Sequence, residues 1–133
     1  MWEISWLAVV LAALVTFVVG GLWYGTLFKA SWQAEAGVTD EMMGKRHPAV
    51  VFGGAFLLNL FAAYILGHVL ATYGQPPLAT DVMIAFGVAA GFIVTAFGVN
   101  YLFAAKSFKL FAIDAGYWIV TYSLMGVIFG YLG

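Results

Sequence analysis

The chain is laid out as long uncharged runs separated by short polar stretches. The first run extends from Ile4 to Phe28, the second from Ala49 to about Thr72, the third from about Thr80 to Phe103 and the fourth from Lys109 to Leu132. Each is longer than the ~20 residues a helix needs to cross a hydrocarbon core of ~30 Å. Strands of a membrane barrel would alternate polar and apolar residues over about ten positions, which none of these runs does. The pattern predicts an all-α fold, an integral membrane four-helix bundle in which residues 1–133 form one transmembrane domain. The first run is not read as a signal peptide, because it lacks a basic leader, is too long, and carries Trp23 and Tyr24 near its end.

The polar stretches set the orientation. Lys29 to Pro48 holds Glu35, Asp40, Glu41, Lys45, Arg46 and His47, and Ala30–Ala36 and Asp40–Lys45 within it read as short interfacial helices, with Thr39 or Asp40 as N-cap. Tyr73 to Ala79, centred on Gln75-Pro76-Pro77, reads as a turn because proline lacks an N–H and disfavours helix in the residue before it. Lys29, Lys45 and Arg46 lie in the first loop and Lys106 and Lys109 at the third link, so every basic residue falls on one side of a four-span arrangement. Loops rich in Lys and Arg stay cytoplasmic, which puts both termini outside. Trp2 and Trp6 at one end of the first run, with Trp23, Tyr24 and Trp32 at the other, match the aromatic belts of a bilayer.

Composition agrees with this layout and removes several function classes. The 133 residues are 65% hydrophobic and only 8% charged, against roughly a quarter charged in a soluble domain. A net charge of −1 excludes the basic field a nucleic-acid binder needs. With no cysteine there is no disulfide, thiol nucleophile or thiolate metal site. The sequence carries no H-E-x-x-H, G-x-S-x-G, P-loop or G-x-G-x-x-G, so no catalytic residue is assigned and the chain is read as a non-enzyme.

Helices in lipid associate largely through small residues that let backbones approach. Gly21 and Gly25, Gly53, Gly54 and Gly67, the series Gly87, Gly91, Thr95 and Gly98, and Gly126 and Gly130 offer such ridges, the 87/91/95/98 series being the most regular. A faint internal echo links Gly21-Leu-Trp-Tyr24, followed by Phe28, Lys29 and Trp32, with Gly98-Val-Asn-Tyr101, followed by Phe103, Lys106 and Phe108. Chance similarity of two apolar segments explains it better than duplication of a two-helix unit. Gly21-Leu22-Trp23-Tyr24, Lys29-Ala-Ser-Trp32 and Lys109-Leu-Phe-Ala-Ile-Asp114-Ala-Gly-Tyr-Trp118 resemble the signatures of a bacterial membrane-protein family catalogued as domain of unknown function 1761. The resemblance covers nearly the whole chain and implies four helices and an inner-membrane address, with no activity attached. Where the family often has His-Tyr this chain has Asn100-Tyr101, and where it often has Asn this chain has Asp114.

Within the runs, away from their first two residues, Asp114 is the one formally charged side chain, ~7 Å into the fourth helix, and so requires a partner, a proton or water. Asn100 falls in the same slab, Tyr117 and Thr121 share its helix face, and Trp23 and Tyr24 end the first helix at that depth. This cluster is the chief candidate site, read first as a lock between the third and fourth helices and alternatively as a ligand, ion or proton site. Asn59 and His68 are read as interhelical polar residues rather than substrate ligands. His47 and His68 are ~31 Å apart along one helix and cannot share a metal, and Met42-Met43 reads as an interfacial anchor rather than a soft-metal site. No metal or cofactor is expected. The preferred function is a structural or accessory membrane protein contacting lipid and a second copy or a larger membrane complex, and the alternative is a small transporter or ligand-binding membrane protein using the Asp114 and Asn100 cluster. Small multidrug transporters share the size but need an acid inside the first helix, which is missing here.

Overall fold

The computed structural model describes residues 4–74 and 76–133, so Trp2, Glu3 and Gln75 lie outside the described residues. The elements are α1 (Trp6–Leu22), running on through a wide π-helical turn at Trp23–Leu27, α2 (Lys29–Ala36), α3 (Asp40–Met43), α4 (Pro48–Thr72), α5 (Leu78–Val88), a second π-helical turn at Ala89–Ile93, α6 (Val94–Phe103) and α7 (Phe108–Leu132). Four helical segments are long and apolar enough to cross a membrane: Trp6–Leu27, Pro48–Thr72, Leu78–Phe103 and Phe108–Leu132.

The ends of these segments follow from capping. Ser5 accepts the Ala8 N–H at 3.2 Å and Ser107 the Leu110 N–H at 3.1 Å, starting α1 and α7. His47 Nδ1 accepts the Ala49 N–H at 3.0 Å, with Pro48 at the first helical position, where its missing N–H costs nothing. Pro77 likewise precedes the first turn of α5, so the third span opens at Leu78, two residues earlier than the sequence pattern suggested. Thr39, rather than Asp40, caps α3 by accepting the Met42 N–H at 3.1 Å. Gly37 closes α2 in the left-handed conformation, φ 70°, which a Cβ would disfavour.

The fourth span is the hub. Of its most apolar stretch 44% is buried, against 11% in each of the second and third spans. It packs most extensively on α5 and next on α1, while α4 lies mainly against α1 and barely reaches α5 or α7. The arrangement is therefore a row, α4 to α1 to α7 to the third span, rather than an evenly closed bundle. Its continuous core, made by Ala8, Val9 and Ala12, Ala63 and Leu66, Ala85 and Ala89, and Met125 and Phe129, lies toward the end remote from the lysines. Alanine at so many of these positions sets helices close together, as lipid-embedded packing requires.

The glycine ridges divide into two kinds. A Cβ built on Gly126 would meet the Ala85 Cβ at 2.9 Å and the Val82 Cα at 3.0 Å, one on Gly130 would collide with Leu78, and one on Gly67 would reach Phe129 at 3.0 Å. Gly98 stands 3.3 Å from Phe111 by the same measure. Gly21, Gly25, Gly53, Gly54, Gly87 and Gly91 have nothing within 4 Å. The expected 87/91/95/98 ridge is thus not an intrachain contact along its length, and Gly21 and Gly25 likewise meet no other part of the described chain at Cβ distance. The wide turn at Ala89–Ile93 breaks the helical register in the middle of the series, so its two ends face different directions.

Candidate functional site

Asp114 sits in the second turn of α7, 6% exposed, where α7 is covered by the end of the first span and by α6. Tyr24 Oη donates to its Oδ1 at 2.6 Å and Tyr101 Oη donates to its Oδ2 at 2.5 Å. One carboxyl group therefore joins three spans, each oxygen taken by a phenol from a different helix. Hydrogen bonds with a carboxylate are among the shorter and stronger kinds.

Aromatic rings close the surroundings. Trp23 Nε1 donates to the Ile113 carbonyl at 2.9 Å, and its ring lies so close to Gly116 that a Cβ there would come within 2.8 Å of Trp23 Cζ2. Tyr117 Oη donates to the Thr16 carbonyl at 2.8 Å, and its ring lies 5.1 Å from that of Tyr24. Tyr24 also meets Trp32 of α2 edge-on at 5.7 Å, which ties the first loop to the cluster. The local cause is the π-helical turn at Trp23–Leu27, which widens the end of the first span over α7. Thr26 bonds back to the Leu22 carbonyl at 2.6 Å beside this turn, and Thr95 bonds back to the Gly91 carbonyl at 2.8 Å beside the other.

The structure thus brings together Asp114, Tyr24, Trp23 and Tyr117, while Thr121 lies fully buried two turns along α7. It does not bring in Asn100, whose side chain is exposed and makes no hydrogen bond among the described residues. Its neighbour Tyr101 occupies the place expected of it. Tyr101 is not among the expected site residues; the one sequence feature that could have found it is the internal echo, where it matches Tyr24, and the two matched tyrosines hold the two oxygens of one carboxyl group.

The remaining polar residues fall elsewhere. Asn59 is half-buried on α4, in line with buried Ala63, Leu66 and Leu70, without a side-chain hydrogen bond among the described residues. His68 meets Tyr64 edge-on at 4.5 Å, and Tyr64 in turn stacks on Trp6 at 5.4 Å. Asp81 corrects the expectation of a single buried acid. Because α5 begins at Leu78, Asp81 is its fourth residue and is only 5% exposed, against α7 near Gly126 and Gly130, with Oδ1 lacking a hydrogen bond. Thr121 Oγ1 is the other buried side-chain oxygen without one among the described residues. No three His, Asp or Glu side chains among the described residues approach closely enough to hold a metal ion.

Over residues 7–130 the chain matches the family described as a protein of unknown function, DUF1761. The chain belongs to this family. Neither the curated proteins nor the solved structures include a match. In this DUF1761 member Tyr24, Asp114 and Tyr101 form one hydrogen-bonded network, with Trp23 bonded to the Ile113 carbonyl beside it. The family match thus adds no activity to the geometry, which describes a polar joint between spans.

Proposed function

We propose that this DUF1761 protein is a non-enzymatic, multi-pass protein of the inner membrane that works as an accessory or scaffolding subunit, associating with itself or with a larger membrane complex. The observation that carries the reading is the pairing of both Asp114 oxygens with Tyr24 and Tyr101. A buried acid engaged by two fixed phenols serves as a joint between helices, because a ligand would have to displace those donors to reach it. Three further features support association. The outer faces of α4 and the third span are little covered, Gly53, Gly54, Gly87 and Gly91 stand open to close approach, and Asn59 brings an amide into an apolar helix without a hydrogen-bond partner among the described residues.

Mass measurement in native-like lipid tests this reading. A dimer or higher oligomer is expected, and Gly87→Leu with Gly91→Leu, at positions where a Cβ has nothing within 4 Å among the described residues, should lower its population while leaving the thermal melt of the protomer in place. Monomer alone across a wide dilution range would refute self-association.

A transport reading is favoured by one observation. Asp114, Tyr117, Thr121 and, beyond them, Asp81 line successive levels of the α7 contact surface, and Asp81 Oδ1 is buried without a donor. Under that reading Asp81→Asn abolishes pH-driven solute or proton movement in proteoliposomes. Under the reading preferred here, proteoliposomes of the native chain move neither.

A further inference from the structure

The first loop folds back on the start of α4 and leaves a groove of about 570 Å³, within the ~300–1,000 Å³ typical of small-molecule sites. Its walls have two chemistries. Trp32, Met43, Val51 and Phe52 supply an apolar floor, and Lys45 and Arg46 stand at the loop side. The floor is open rather than packed, Met43 being 51% and Phe52 61% exposed. Neither cation has a carboxylate partner among the described residues, and Asp40 of the same loop accepts instead from Gln33 Nε2 at 2.9 Å. Gln33 also reaches Met43 Sδ at 3.3 Å, which fixes that wall of the groove.

We propose that this groove holds one anionic phospholipid, its phosphate between Lys45 and Arg46 and an acyl chain along Val51 and Phe52. The proposal rests on the membrane reading of the chain and deepens it by naming a lipid class and a site. Charge complementarity decides the class. Two unpaired cations beside an apolar trough match an amphiphile with a negative head, and a guanidinium can grip two phosphate oxygens at once. A zwitterionic head would bring its own ammonium to the same pair and lose the advantage. The position fits as well, because Pro48 opens α4 directly after Arg46 and His47, placing the cations at the end of a spanning helix and the trough on its first turn. Trp32 belongs to the groove wall and meets Tyr24 edge-on at 5.7 Å, so an occupant of the groove lies one residue from the Asp114 joint.

The test uses the full chain extracted from membranes in mild detergent, titrated with phosphatidylglycerol or phosphatidylcholine and read by native mass spectrometry. One phosphatidylglycerol is expected to be retained in preference to phosphatidylcholine. Lys45→Gln with Arg46→Gln should weaken its retention by about 30-fold, from the usual worth of two basic residues near an anionic surface. Lys106→Gln with Lys109→Gln removes the same charge outside the groove and should leave retention unchanged. Val51→Trp fills the trough with both cations kept and should also lose the lipid. Equal retention of the two lipids, retention by the Lys45 and Arg46 double variant, or equal loss in the Lys106 and Lys109 control overturns the proposal. Failure of the membrane reading looks different, since the native chain would then be recovered without detergent.

Discussion

Asp114 is where the choice of one side chain decides how three spans meet. Replacing it with leucine leaves the Tyr24 and Tyr101 hydroxyls facing a methyl group, whereas asparagine keeps one acceptor oxygen and offers an amide that the second phenol can accept. Intramembrane hydrogen bonds are worth about 0.6 kcal/mol on average and up to ~1.7. Asp114→Leu is therefore expected to cost about 1–3 kcal/mol and Asp114→Asn less than half of that, with Tyr24→Phe and Tyr101→Phe each losing a single bond. Thermal melts in one detergent check the order. A double-mutant cycle between Asp114→Leu and Tyr101→Phe should show coupling, and additive effects would mean that the two side chains do not touch in the membrane. At this scale the sequence displayed the acid and one of its donors. Trp23-Tyr24 ends a span at the depth of Asp114, so depth alone found them. Depth could not separate Asn100 from Tyr101, because neighbours on a helix share a level and differ by about 100° in direction.

What turns residue 101 inward belongs to the scale of the element. The π-helical turns at Trp23–Leu27 and Ala89–Ile93 each add to the ordinary helical repeat, rotating everything beyond them, and hydrophobic runs as uniform as these leave no mark of such a turn. The same rotation explains why the regular 87/91/95/98 series looked like a packing ridge and is not one within the chain. Gly116, by contrast, belongs to no such series, yet the Trp23 ring rests on it. Alanine at Gly116 must push the indole away and strain its bond to the Ile113 carbonyl, an overpacking that typically costs about 1–3 kcal/mol. Gly21→Ala, with nothing within 4 Å, should be neutral or slightly stabilising, since alanine is the better helix former. Thermal melts of the two variants, with Trp fluorescence reporting the displaced ring, measure the contrast. Equal melts would mean that Trp23 does not rest on Gly116 in solution.

At the scale of the molecule, span number and approximate limits were legible because hydrocarbon thickness imposes a length on every crossing helix and the charges are confined to the gaps. The order of packing was not legible, since every run is apolar on all sides and no stripe tells a buried face from a lipid-facing one. Orientation is a matter of charge alone. Lys29, Lys45, Arg46, Lys106 and Lys109 all lie at the same end of the long helices as the Asp114 joint, and the turn between α4 and α5 carries no basic residue. Retention of basic loops in the cytoplasm then predicts the α2 and α3 loop inside and the α4 to α5 turn outside. The chain has no native cysteine, so single cysteines at Gln33 and Gln75 give an unambiguous readout with an impermeant maleimide in intact cells. Gln75→Cys should label without permeabilisation and Gln33→Cys only after it. Because Gln33 donates to Asp40 and Met43, Glu35→Cys in the same helix serves as a second probe that spares those contacts. Labelling of either α2 position from outside would invert the orientation, and with it the leaflet in which the Lys45 and Arg46 groove lies.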